Sequence, residues 1–224
     1  MKNKKHKKLL KILGIFIIGI LCICLIRYIR LPKDSSYDTG LYGTYTQDAY
    51  SGDDYKQTIK YTLNNNNTYE YYYCETINGS DNKTTRKHLI NDTKKINNDI
   101  TRITLNTDES EEILYKYKNM LGEFYEAKIP YRKKFDLKIK YKNFEYDDDD
   151  DYYINPGILF NKNGYFHYCN DVDNCKCNPN DEFKFFIYKR IGNYIYERYD
   201  GQWSIAFYIV DDGIFYPEYY KEED

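Results

Sequence analysis

A chain of 224 residues with 29 tyrosines and 11 phenylalanines can bury one large core or two small ones, yet its mean hydropathy of −0.83 makes the remainder very polar. Residues 1–33 hold nine of the 33 Lys and Arg and no acid, which leaves 24 bases against 35 acids, a net of −11, over residues 34–224. That sign repels phosphate backbones and argues against nucleic-acid binding by the main part of the chain.

The chain opens on "MKNKKHKK", a basic tail. Leu9–Ile26 then runs for 18 residues with one charge, Lys11. Extended to residue 29, this matches the length of about 20 apolar residues that a membrane-spanning helix needs. Lys11 and Arg27 can reach the two interfaces with their charged ends. Six lysines up to Lys11 outnumber Arg27, Arg30 and Lys33 beyond the span. The positive-inside bias therefore predicts a cytoplasmic tail at 1–8, a transmembrane helix at 9–29 and a tether at 30–40 leading to a domain outside the cell membrane. A cleaved signal peptide would need small residues before a cut, and "RYIRLPKDSS" offers none. A lipoprotein would need a small residue before its cysteine, where Leu21 and Ile23 precede Cys22 and Cys24.

Past the tether, a period of two dominates. "DITRITLNTD" sets Ile103 and Leu105 on one face, and "EEILYKYKNM" sets Ile113, Tyr115 and Tyr117 against Lys116 and Lys118. "FDLKIKYKNF" sets Phe135, Leu137, Ile139 and Tyr141 against Asp136 and three lysines, a half-buried strand with a wet face. "QWSIAFYIVDD" sets Trp203, Ile205, Phe207 and Ile209 together. Turn signals fall between such runs: "NNNN" at 64–67, "INGSDN" at 77–82, "NTDES" at 106–110, "NKNG" at 161–164, "YDG" at 199–201 and "DDG" at 211–213. Asn163-Gly164 is the strongest hairpin signal, matching a two-residue turn. No segment of helical length outside the span shows a 3.6 period. The pattern predicts an all-β, antiparallel meander, barrel or sandwich, behind one N-terminal helix.

Residues 41–145 form the main β-rich domain of this reading. The run "EYDDDDDYY" marks an acidic loop at 146–152, because adjacent aspartates repel one another. Residues 153–224 are a β-rich continuation or a second small β unit. "LNNNNTYEYYYCE" (63–75) and "LFNKNGYFHYCN" (159–170) share one outline: apolar residue, Asn-rich turn, aromatic strand, cysteine. Cys74 and Cys169 have the same parity after their turns, so each falls on the same face of its strand. The echo raises the question of a unit used twice, but the remaining sequence does not align and hairpins of one barrel resemble each other in any case.

Four cysteines lie beyond the predicted span: Cys74, Cys169, Cys175 and Cys177. They allow three disulfide connectivities, with Cys74–Cys169 one candidate, and Cys175 and Cys177 too close to bond to each other. Free thiols are a second reading. A third takes His167, Cys169, Cys175 and Cys177 as four soft metal ligands, although H-x-C-x5-C-x-C is not a standard zinc spacing. No cofactor is assigned. Only His88 and His167 lie beyond the span, no serine sits in G-x-S-x-G, and no Gly-rich phosphate loop follows a strand. Enzymatic activity is therefore not expected.

"GLYGTYT" (40–46) opening the meander, with "GNYIYERYDGQWSIAFYIVDDGIFY" (192–216) near its end, resembles lipocalin-like barrels of bacterial surface proteins. Where those barrels carry Gly-x-Trp, this chain has Gly43-Thr44-Tyr45. The resemblance implies an antiparallel barrel over residues 40–145, with a small apolar ligand or none. The expected function is non-enzymatic binding of a ligand or surface partner, such as an envelope protein or a cell-wall glycan stacked on tyrosine. The alternatives are a structural or accessory subunit of an envelope complex and, third, an envelope hydrolase.

Overall fold

The computed structural model describes residues 2–34, 38–52, 55–108, 110–141, 155–175 and 185–222. The predicted acidic loop and Cys177 lie outside them. Helix α1 (Lys2–Ile29) runs unbroken for 28 residues. Its stretch Lys8–Ile29 has a mean hydropathy of 3.0 and buries nothing against the rest of the chain. At 1.5 Å per residue it reaches about 33 Å, enough to cross a hydrocarbon layer.

Two antiparallel meanders of seven strands follow. The first contains β1 (Gly43–Gly52), β2 (Tyr55–Asn64), β3 (Thr68–Ile77), β4 (Ser80–Lys95), β5 (Ile100–Asn106), β6 (Glu111–Tyr117) and β7 (Met120–Glu126). The second contains β8 (Leu137–Lys140), β9 (Gly157–Phe160), β10 (Tyr165–Cys169), β11 (Phe186–Ile191), β12 (Tyr194–Tyr199), β13 (Gln202–Val210) and β14 (Gly213–Lys221). The last strand of each run pairs with the last strand of the other, giving the order β1 through β7, then β14 back through β8. The far end of β14 also pairs with β1, through Tyr45↔Lys221 and Thr46↔Tyr220. The first run plus β14 is thus a closed eight-stranded antiparallel barrel. Among the described residues the second run has no matching pairing between β7 and β8.

The β7–β14 ladder is symmetric about its middle. Glu126 lies opposite Gly213, Met120 opposite Tyr220, and Glu123 opposite Tyr216 at the centre. Only a bulge between Pro217 and Tyr219 breaks the match. The echoing sequences fall at equivalent places, the β2–β3 and β9–β10 hairpins. Asn64 pairs with Thr68 around Asn65–Asn67, and the Asn161 N–H donates to the Tyr165 carbonyl at 2.9 Å around 162–164. Each loop closes on a left-handed residue, Asn67 at φ 60° and Gly164 at φ 91°. Both are three-residue loops, so the two-residue turn expected at Asn163-Gly164 is one residue longer. The flanking buried pairs also correspond: Leu63 and Tyr69 in one hairpin, Phe160 and Phe166 in the other.

Three apolar clusters hold the sheet. Tyr45, Leu63, Tyr69, Ile103, Leu105 and Leu121 fill the barrel. Ile158, Phe160, Phe166, Tyr188, Phe207 and Ile214 fill the concave side of the second run. Leu121 and Tyr125 alternate on one face of β7 yet serve different clusters, so both cores lie on the same face of the shared ladder. The opposite face carries the third cluster, with Ile100, Met120 and Phe215 fully buried.

That third cluster changes two expected faces. In β6, Tyr115 and Tyr117 pack on it while Leu114 and Lys116 turn into the barrel. Lys116 is therefore buried, not wet as expected, and its ammonium pairs with Asp38. In β13 the pairing slips at Ala206, from Ile195↔Phe207 to Tyr196↔Ile205. This bulge sends Ile205 to the third cluster and Phe207 to the concave core, although they were expected together. The expected faces of β5 and β8 stand: Ile103, Leu105, Phe135 and Ile139 are buried.

The tether is laid down on the sheet. The Tyr196 hydroxyl donates to the Pro32 carbonyl at 2.8 Å, and Lys221 Nζ to the Thr39 carbonyl at 2.7 Å. Asp34, only 3% exposed at its side chain, pairs with Lys118. Tyr45 donates to the Leu41 carbonyl at 2.8 Å at the start of the barrel.

Gly122 lies opposite Pro217, and a Cβ there would sit 1.9 Å from the Tyr216 carbonyl oxygen. Backbone cannot swing aside as a side chain can. Gly122→Ala is expected to cost about 3 kcal/mol, read as a lowered urea midpoint. Gly79→Asn, at φ +78° with open space around it, should cost less than about 1 kcal/mol. Equal midpoints for the two variants would contradict the role given to the bulge.

Candidate functional site

Between the barrel core and the concave core runs a belt of carboxylates and phenols, centred on the middle of the β7–β14 ladder. Glu112 comes from β6, Glu123 from β7, Glu218 from the β14 bulge and Glu197 from β12. Tyr61 of β2 donates to Glu112 Oε1 at 2.6 Å. Its ring lies 4.9 Å from Tyr219 and 5.3 Å from Tyr71. On the other side of the centre, Tyr216 is close enough to feel the charges of Glu218, Glu197 and Glu123. Tyr141 and Tyr168 complete the belt, each within reach of Glu123 and Tyr216. Tyr141 stacks on Tyr125 at 4.6 Å.

Among the described residues none of the four carboxylates forms an ion pair with Lys or Arg. Burial alone raises Glu123, and burial outweighs the Tyr61 hydrogen bond at Glu112 and the Ser204 hydrogen bond at Glu197. Burial first, then the charges of Glu123 and Glu112, pushes Glu218 up to about 7. The Tyr168 hydroxyl is raised by burial and by the phenols and carboxylates around it, yet the residue stays 44% exposed. The four glutamates are themselves only half-buried, so water reaches the belt. Carboxylates of this kind suit a ligand that brings positive charge, and tyrosine faces suit an ammonium or an apolar body.

None of the four glutamates stood out in the sequence. The available signal was a single acid inside an aromatic strand: "MLGEFYE" and "IFYPEYY" each place one Glu among buried neighbours.

The cysteine–histidine candidates gather on the outer face of β10. His167 and Cys169 alternate there, each 5% exposed, while Phe166 and Tyr168 face the concave side. Cys169 is bonded to Cys175, with Cα atoms 6.1 Å apart, and His167 Nε2 lies 2.8 Å from Cys175 Sγ. Cys74 is a free thiol on β3. The expected Cys74–Cys169 bond is thus replaced by Cys169–Cys175. By the shorter route β2, β1, β14, β13, β12 and β11 lie between β3 and β10, and a disulfide needs Cα atoms within about 7 Å. Parity of face carried no information about distance along the sheet. His88 lies 3.7 Å from exposed Asp108 and against the Tyr69 ring, with no hydrogen bond to a serine or threonine among the described residues.

A carboxyl whose pKa is raised holds its proton more tightly in the folded chain than in the unfolded one. The stability this gives is fully present below the unfolded value of 4.5 and is lost as pH rises through about 7. Glu218→Gln removes that loss. The variant should be more stable than the native chain at pH 8 by on the order of 2 kcal/mol, and no more stable at pH 4, in paired urea titrations. An unchanged difference across that range would contradict the buried, charge-crowded position of Glu218.

Searches for related proteins matched this chain to no family, no curated protein and no solved structure.

Proposed function

We propose that this chain is a single-pass membrane protein whose β-domain lies outside the cell membrane and binds a small organic cation in the glutamate–tyrosine belt. The observation that carries the ligand class is the belt itself: four partly buried carboxylates with no basic side chain paired to them among the described residues. The apolar stretch Lys8–Ile29, with its lysine-rich leading end, supports the membrane and the orientation. The barrel is consistent with the lipocalin-like resemblance of bacterial surface proteins, which implies a small, apolar-bodied ligand. The belt adds a positive charge to that ligand.

The accessory-subunit reading has its own support. The β3–β4 hairpin forms a long arm, with Ile77 48% exposed next to its turn and Leu89 59% exposed at its other end. Such an arm suits an envelope protein as partner.

Both parts can be tested on the full chain. A cysteine introduced at Ser36 should take up a membrane-impermeant maleimide in intact cells, above the level of the unsubstituted chain; protection there would overturn the orientation. In neutral detergent, spermidine should bind calorimetrically at pH 8, at least tenfold more weakly at pH 5 and in Glu123→Gln. Absent binding, or binding indifferent to Glu123→Gln, would overturn the ligand class.

A further inference from the structure

We propose that His167, Cys169 and Cys175 are a redox-gated zinc site: a disulfide in the oxidised chain, and a Zn²⁺ ligand set of one imidazole and two thiolates once that bond is reduced. The three donor atoms already lie within 4.8 Å of one another. Two come from alternate positions of one strand, so their direction is set by β10. The third is delivered by the turn that follows.

That turn is held by contacts other than the S–S bond. Val172 is fully buried and its N–H donates to the Asn155 carbonyl at 2.7 Å. Asn155 N–H donates to the Asn170 carbonyl at 3.1 Å. Asp171 accepts from the Asp173 N–H at 3.0 Å and from Asn174 Nδ2 at 2.5 Å. Reduction therefore leaves both sulfurs beside the imidazole. Phe185 packs edge-on to the His167 ring at 4.9 Å and limits its rotation.

A purely structural disulfide has little use for an imidazole nitrogen at hydrogen-bond reach of one sulfur, since a bonded sulfur is a weak acceptor. In the dithiol state the same nitrogen is a third soft donor. Zn²⁺ takes sulfur at about 2.3 Å and imidazole nitrogen at about 2.0–2.1 Å in a tetrahedral set. Among the described residues these three are the donors, which leaves the fourth position to water or to a donor outside them.

The chemistry balances with a dithiol as reductant. The Cys169–Cys175 bond breaks, two electrons pass from the dithiol, which closes to its own disulfide, and its two protons go to the two cysteine sulfurs. Zn²⁺ then displaces those protons to water. Reoxidation by a disulfide-bearing acceptor reverses both steps and releases the ion.

The test uses the full chain in detergent, reduced with a phosphine, with Co²⁺ as a spectroscopic stand-in for Zn²⁺. One equivalent of Co²⁺ should give a thiolate-to-cobalt absorption band in the near ultraviolet, displaced by Zn²⁺ and absent from the oxidised chain. Cys175→Ser should abolish it, and His167→Ala should weaken Co²⁺ binding at least tenfold while leaving the count of titratable thiols unchanged. Should Cys175→Ser fail to fold, His167→Gln carries the comparison. No stoichiometric band on reduction, or a band unchanged in the histidine and Cys175 variants because other thiols hold the ion, would overturn the proposal.

Discussion

The β7–β14 ladder is the constraint on which the rest of the molecule depends. It joins a mid-chain strand, Met120–Glu126, to the last strand, Gly213–Lys221, and each meander uses it as a wall. Without β14 the barrel of the first run has an open edge between β7 and β1, and an open edge is a liability in a sheet. The bulge at Glu218 lets β14 serve both runs. It returns Tyr219 to the face that Ile214 and Tyr216 occupy, so one strand packs into two cores. Gly122 leaves room for the carbonyl that the bulge pushes across.

The glutamate–tyrosine belt follows from the same geometry. Two apolar clusters sit on one face of the ladder and meet at its centre, Tyr61 and Tyr219 belonging to one and Tyr141 and Tyr216 packing on the other. Side chains there have apolar walls on both sides and water in front. Glu123 and Tyr216 stand opposite each other at that centre, with Glu218 beside them. Carboxylates in such a place lose solvation without gaining a cation among the described residues, and burial is the first cause of each shift. The outer face of β10 has the opposite character. Its polar donors are soft, close together and covered by a turn, and they have no part in the belt.

The sequence showed local features well and long-range ones poorly. Alternation exposed the faces of β8, which has one buried side, and found Ile103 and Leu105 of β5 but not Ile100 and Thr104 on that strand's other buried face, while Asn- and Gly-rich turns marked hairpins at 64–67, 77–82, 161–164 and 199–201. The apolar helix was plain from length and charge. Alternation failed in β6 and β13 for different reasons. β6 is buried on both faces, so Lys116 looked like a solvent position, and β13 changes face at Ala206 within one run of apolar residues. The closure of β1 on β14 joins Tyr45 to Lys221, and no local signal encodes a contact at that separation. The docking of Pro32 and Asp34 on the sheet was hidden for the same reason, since "LPKDSS" has the composition of a free tether. The echo between the Asn-rich hairpins was informative about topology and misleading about disulfide pairing.

If the ladder binds the two runs into one body, they must unfold together. Trp203, the sole tryptophan, sits in β13 under Lys189 and reports the second run. Hydrogen exchange of peptides from β2 to β5 reports the first. Followed through one urea titration of the full chain, the Trp203 fluorescence and the exchange protection of the first run should show a single shared midpoint. Protection that persists in β2 to β5 after Trp203 has reached its unfolded signal would contradict a shared wall and divide the chain into two independent units.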